Sequence, residues 1–151
     1  MNKIWNLIGR IAYYITLPLV SLVIRFTSRT RLIVEFDGKI LVVKGWLGDN
    51  KWFLPGGGLH KDEDPKQGAI RELLEETGIK VKVSDLNEVG QGVYDEGITK
   101  YRYYLYYVRL PKMPETKRQQ FEITDVGWLE PDEISPNNSS KELISLLETW
   151  K

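Results

Sequence analysis

Three consecutive glycines, Gly56 to Gly58, follow Pro55 and stand just ahead of a segment with a full set of helix signals. A regular helix or strand does not carry such a run, whereas a loop that passes close against a neighbouring element does. Asp64 is a good N-cap, Pro65 occupies the first helical position, and Gln67 completes a capping-box-like spacing. Gly78 suits the left-handed residue that ends a helix. These signals predict a helix over residues 65–77, with Ala69, Ile70, Leu73 and Leu74 as its buried face.

On the other face Glu72, Glu75 and Glu76 are spaced i, i+3, i+4. At that spacing they share an arc of about 100°. Like charges so placed repel by a few tenths of a kcal/mol per pair. They also crowd the C-terminal half of the helix, where the dipole disfavours anions. Folding does not ask for this arrangement. A hard divalent cation reverses its sign, because magnesium binds carboxylate oxygens together with substrate phosphates. Arg71 precedes the first glutamate, and its planar fork can hold a carboxylate in a fixed orientation. A carbonyl bared in the glycine loop offers a further oxygen ligand.

Around this helix the chain reads as strands. Arg31–Asp37 and Lys39–Trp46 flank Asp37-Gly38 as a hairpin, and Lys51–Leu54 is a short strand leading into the glycines. Further strands are expected at 80–93 and 99–110, the latter central because tyrosines fill both of its faces. Pro111–Gln120 reads as a polar loop, Glu122–Glu130 as a last strand, and Ser139–Trp150 as a helix with Leu143, Ile144, Leu146 and Leu147 on one side. The expected class is α/β (α+β), a mixed β-sheet with helices on both faces.

A chain of 151 residues fits one domain. Net charge is zero, so a broad basic surface for nucleic acid is not expected. There is no cysteine and only one histidine, His60, which excludes thiolate and multi-histidine metal sites. Residues 1–31 hold Lys3, Arg10, Arg25, Arg29 and Arg31 and no acid. The uncharged run Ile11–Ile24, interrupted by Pro18, falls short of the roughly 20 residues that span a bilayer. Residues 1–28 are therefore read as a separate apolar and basic helical segment, and 29–151 as the domain. Packing on the domain or in a homodimer, and docking at a membrane surface, are the two roles expected of that segment.

Gly57, five residues, Glu63, seven residues, then Arg71-Glu72-Leu73-Leu74-Glu75-Glu76-Thr77-Gly78-Ile79 resembles the Nudix box at every defined position. The resemblance implies the Nudix α/β/α sandwich and a magnesium-dependent hydrolase, with manganese able to substitute; the expected location is cytoplasmic, which the absence of cysteine suits, or peripheral at the membrane. The substrate class implied is a nucleoside-diphosphate-linked compound cleaved at a phosphoanhydride bond. It implies that the carbonyl of Gly56 and the carboxylates of Glu72, Glu75 and Glu76 bind the metal. Arg71 orients carboxylates, and Glu63 ties the loop to the helix. A glutamate outside the box often joins such sites a few residues before a late tryptophan, and Glu122 before Trp128 is the candidate. Glu72 is the first choice of general base and Glu122 the second. The alternatives are a non-catalytic nucleotide-binding Nudix module and a membrane-associated protein. Base stacking is expected near Trp46, Trp52, Tyr94 and Tyr101; Lys112, Lys117 and Arg118 could also grip a longer polyphosphate, but a charged loop of this kind is usually only solvated.

Overall fold

Alternation along the first strand divides the molecule into two layers. The computed structural model describes residues 27–46, 49–97, 99–117 and 122–150. The N-terminal helical segment expected at residues 1–28 lies almost wholly outside them, as does Arg118. Strand β1 (Ser28–Phe36) is buried at every residue from Thr30 to Glu35. It begins ahead of the expected Arg31. Its Leu32 and Val34 face helix α1 (Pro65–Thr77), where they meet Ala69 and Leu73. Ile33 faces the opposite way, toward Leu143, Leu146 and Leu147 of helix α2 (Lys141–Trp150).

The sheet has five strands in the order β3-β4-β1-β2-β5, completed by β2 (Lys39–Gly45), β3 (Asn87–Glu96), β4 (Thr99–Arg109) and β5 (Ile123–Leu129). β1 runs parallel to β4, and the other pairs are antiparallel. With α1 on one face and α2 on the other, this is the expected α/β/α sandwich with a mixed sheet.

Three local expectations are corrected. β4 is an inner strand but not the centre, because β1 holds that place with aliphatic side chains on both faces; Tyr101 and Tyr106 are nevertheless buried. The strand expected from residue 80 starts at Asn87. Before it, the Lys82 N–H donates to the Asp85 carboxylate at 3.0 Å and folds Val83–Asp85 into a 3-10 turn. Lys51–Leu54 makes only isolated bridges, Phe53 to Val43 and Trp52 to Ser139.

Helix α1 starts and stops as its signals require. Asp64 accepts from the N–H groups of Lys66 and Gln67 at 3.0 and 3.1 Å, and Gly78 takes φ 75°. Leu74, however, is 41% exposed. It lies about 140° around the helix from Ala69 and leaves the stripe that Ala69 and Leu73 share. No helix among the described residues is long and apolar enough to cross a membrane.

Candidate active site on helix α1

The glycine loop is laced to the start of β1. Thr30 N–H donates to Gly57 O at 2.9 Å and Leu32 N–H to Pro55 O at 3.0 Å. Gly56 adopts φ +135°, and a Cβ there would stand 2.2 Å from Thr30 O. At Gly57 a Cβ would stand 2.5 Å from Oε1 and 2.7 Å from Oε2 of Glu72. The loop is thus wedged between strand and helix, and the missing side chains are the room in which the Glu72 carboxylate sits. Gly58 faces open space. Gly56→Ala, whose Cβ would meet backbone at a strained φ, is therefore expected to cost about 1–3 kcal/mol, and Gly58→Ala within about 0.5 kcal/mol of nothing. Urea denaturation of the two variants checks the contrast; equal stabilities would refute it.

Arg71 is the hub of the helix face. Its Nε and one terminal nitrogen donate to Glu63 at 2.8 and 2.9 Å, the other to Glu72 at 2.9 Å and to Glu75 at 3.0 Å. A fifth bond, 3.0 Å to Gly58 O, fastens the loop. The arginine's bonds, with a further one from His60 N–H, pull Glu63 down to about 2 against the opposing effect of burial. Because the folded value lies below the ordinary one, the stability Glu63 supplies is complete above about pH 4.5 and is lost as pH falls toward 2. Wild type should therefore lose stability over this window relative to Glu63→Gln. Denaturation midpoints of the two proteins from pH 7 to pH 3 test this, and parallel curves would contradict it.

Glu76 points into the same loop. Gly56 N–H donates to its Oε2 at 2.9 Å. Burial pushes Glu76 up to about 8, with the charge of Glu72 adding to the effect and the Gly56 N–H and Arg31 opposing it. A carboxyl held largely neutral at pH 7 beside two further glutamates is a site short of positive charge.

Gly56 is held from its other side by a group that sequence reasoning did not single out. Arg31 is 6% exposed and donates a short hydrogen bond to Gly56 O. The same guanidinium meets both oxygens of Glu142 from helix α2, at 2.7 and 3.2 Å, and Tyr101 OH donates to that carboxylate as well. Burial opposes the Arg31 charge, but Glu142 and Tyr101 outweigh it and raise its pKa, while Arg31 keeps Glu142 low against burial. A signal for this pair existed. Arg31 alternates with Ile33 on a buried strand, and Glu142 is four residues before Leu146 on the apolar stripe of α2.

The structure thus gathers Gly56, Arg71, Glu72, Glu75 and Glu76. It does not draw Glu122 into their bonds. Glu122 is exposed at the entry to β5, its carbonyl accepts from Trp46 N–H at 2.8 Å, and its carboxylate has no hydrogen bond or ion pair to a described residue. Nor do three carboxylates among the described residues stand in ready metal-binding geometry, because Glu72 and Glu75 turn to Arg71 and Glu76 to Gly56.

Beyond Arg31 and Glu142 opens a cavity of about 340 Å³. Phe53, Tyr94 and Tyr101 line it, with Lys51 and Lys141 set against Asp49, Glu96 and Glu142. Tyr94 OH donates to Glu96 at 2.7 Å, and Lys141 closes an ion pair with the same carboxylate across the mouth. Of the aromatic residues expected here, Tyr94 and Tyr101 are present. Trp52 instead lies under Lys44 and against Gly127.

The family model of the NUDIX domain matches residues 26–148. A MutT-like protein of Streptomyces ambofaciens is 38% identical over 118 residues, covering 78% of this chain and 71% of that protein. Diphosphoinositol polyphosphate phosphohydrolase 2 of Mus musculus is 29% identical over 100 residues, 60% of this chain and 54% of that protein, so the match spans little more than half of it. Among solved structures, a MutT NUDIX hydrolase from Burkholderia pseudomallei superposes with a TM-score of 0.71 at 20% identity, over 83% of this chain and 98% of that one. A bifunctional NMN adenylyltransferase/ADP ribose pyrophosphatase from Francisella tularensis, complexed with AMP and a Mn ion, gives 0.69 at 22% identity, over 94% of this chain and 46% of that one. The box on α1, the sandwich that carries it and the family match over residues 26–148 agree: the chain belongs to the Nudix hydrolase family.

Proposed function

We propose that the chain hydrolyses a phosphoanhydride bond in a nucleoside-diphosphate-linked compound, using magnesium, with manganese able to replace it. The observation that carries this reading is the Arg71-held carboxylate face of α1, with Glu76 left short of positive charge against the glycine loop. The donor set fits a hard cation, being oxygen only, and Glu72 and Glu75 need only turn from Arg71 to engage it. Gly56, Glu72, Glu75, Glu76 and Glu122 are the residues that would hold it. When bound, the cation supplies charge withdrawal from phosphorus and from the attacking water.

The remaining chemistry belongs to the chain. Glu72 is the assigned base and takes the proton of the attacking water on a carboxylate oxygen, with Glu122 the second choice. One terminal nitrogen of Arg71 donates to both Glu72 and Glu75 and holds the two carboxylates side by side. The cavity supports a nucleoside as the moiety beyond the phosphates, because its volume suits one and Phe53, Tyr94 and Tyr101 offer ring faces for a base. Its charged lining is acid-rich, three carboxylates to two ammonium groups, which disfavours a polyanionic ring such as a diphosphoinositol.

The test is a panel of nucleoside diphosphate derivatives and base-free diphosphates, assayed with magnesium on the full chain and with products identified. Nucleotides are expected to lead in kcat/KM; a base-free diphosphate above every nucleotide would overturn the substrate reading. We place the enzyme in the cytoplasm, with the residues ahead of β1 a segment apart from the domain. Co-sedimentation of the full chain with anionic vesicles separates a membrane contact from a homodimer contact for that segment.

A further inference from the structure

Each peptide of the glycine loop is fastened by a different bond. The Pro55–Gly56 peptide is held at both ends, its carbonyl by Leu32 N–H at 3.0 Å and its N–H by Glu76 at 2.9 Å. The carbonyl of the Gly57–Gly58 peptide accepts from Thr30 N–H at 2.9 Å. Between them lies the Gly56–Gly57 peptide. Glycine on both sides leaves it free of the Cβ contacts that limit a peptide's rotation. Its carbonyl is held by Arg31 Nη1, which also lies 3.4 Å from Thr30 O. That nitrogen is aimed from behind. Nε and Nη2 of the same guanidinium grip the two oxygens of Glu142 at 2.7 and 3.2 Å, and Tyr101 OH donates to that carboxylate too. A two-point grip on a planar fork fixes its plane, and with it the direction of the remaining N–H groups. Arg31 is 6% exposed and Glu142 7%, so water does not compete for the pair.

We propose that Arg31 is a positioning residue for the metal site, which sets the direction of the Gly56 carbonyl as a metal ligand, and that Glu142 holds Arg31 to that task. The proposal rests on the hydrolase reading above, in which that carbonyl binds the cation. A carbonyl oxygen has two lone pairs, so the one that Arg31 takes leaves another for a cation. A lone guanidinium at the same oxygen would repel that cation, and Glu142 neutralises it. This gives the buried pair a use that stability alone does not require, since apolar residues of like volume serve a core as well or better.

The test uses Arg31→Met combined with Glu142→Leu, which removes the grip on Gly56 but leaves no lone buried charge. Manganese is titrated into the full chain, wild type and double variant, each well below its Tm, and the EPR signal of the free ion gives the bound fraction. The Tm of each protein is measured without metal. The double variant is expected to bind manganese about 10- to 100-fold more weakly, the loss usual when a group that orients a metal ligand is removed. Its Tm should stay well above that of Glu142→Ala. Charge alone predicts the opposite sign. The removed pair is neutral and its guanidinium is the member nearer Gly56, so its loss would favour a cation. Wild-type affinity in the double variant overturns the proposal and leaves the hydrolase reading standing. A double variant no more stable than Glu142→Ala makes the pair structural and overturns the proposal too. A wild type that binds no manganese overturns both. Failure of the hydrolase reading alone looks different: wild type turns over no nucleotide, while manganese binding still depends on Arg31.

Discussion

Glu142→Ala is expected to destabilise the protein by about 3–5 kcal/mol, the cost of leaving one charge of a buried pair alone. Arg31 is 6% exposed and Glu142 7%, so water cannot replace the lost partner. The loss spreads, because Tyr101 OH donates to the same carboxylate and Arg31 carries the Gly56 carbonyl. Removing both charges should cost much less than removing one, since the attraction between the partners largely offsets their desolvation. Arg31→Met combined with Glu142→Leu is therefore expected to recover most of the stability lost in Glu142→Ala. Urea denaturation of the single and double variants measures this. A single-variant loss below about 1 kcal/mol would mean that the pair is not sealed from solvent.

Glu76→Gln is expected to lower the affinity for magnesium at least about 10- to 100-fold, a loss that even a group supporting a ligand produces. Its fold should persist. The amide oxygen of glutamine can still accept from Gly56 N–H, and burial already favours an uncharged group at this position. Without metal, the Tm of Glu76→Gln should match or exceed that of wild type at pH 7. Magnesium titrations of activity and of Tm give the two readouts. Full activity at limiting magnesium would remove Glu76 from the site, and a Tm collapse would make it structural.

Much of this was legible in the chain itself. Helix α1 is bounded by its own local chemistry: an aspartate oxygen for two free N–H groups, a proline that needs no N–H partner, and a glycine for the left-handed exit. The spacing of Arg71, Glu72, Glu75 and Glu76 follows from helical geometry, so their shared face was readable too. Less so were the edges of local patterns. Leu74 is apolar yet exposed, because an apolar residue 100° off the stripe satisfies composition but not contact. The residues before Asn87 look strand-like, yet an aspartate three residues on offered Lys82 N–H a nearer partner than any strand.

Local signals in the chain settle the helix with its carboxylates, the glycine loop, the alternating strands and the family they belong to. Those signals act over a few residues, where covalent geometry fixes who meets whom. It takes the folded chain to show that Arg31 and Glu142, 111 residues apart, share one buried bond, and that Arg31 reaches on to the Gly56 carbonyl. The fold alone set Phe53 rather than Trp52 beside Tyr94 and Tyr101, and left Arg29 over a tyrosine ring with no partner for its Nε among the described residues. The physical reason is common to all three. Which side chain reaches a cavity and whether a buried charge is satisfied depend on which strands adjoin and which helix covers them, and the pairing of β1 with β4 under α2 joins segments that no local spacing relates.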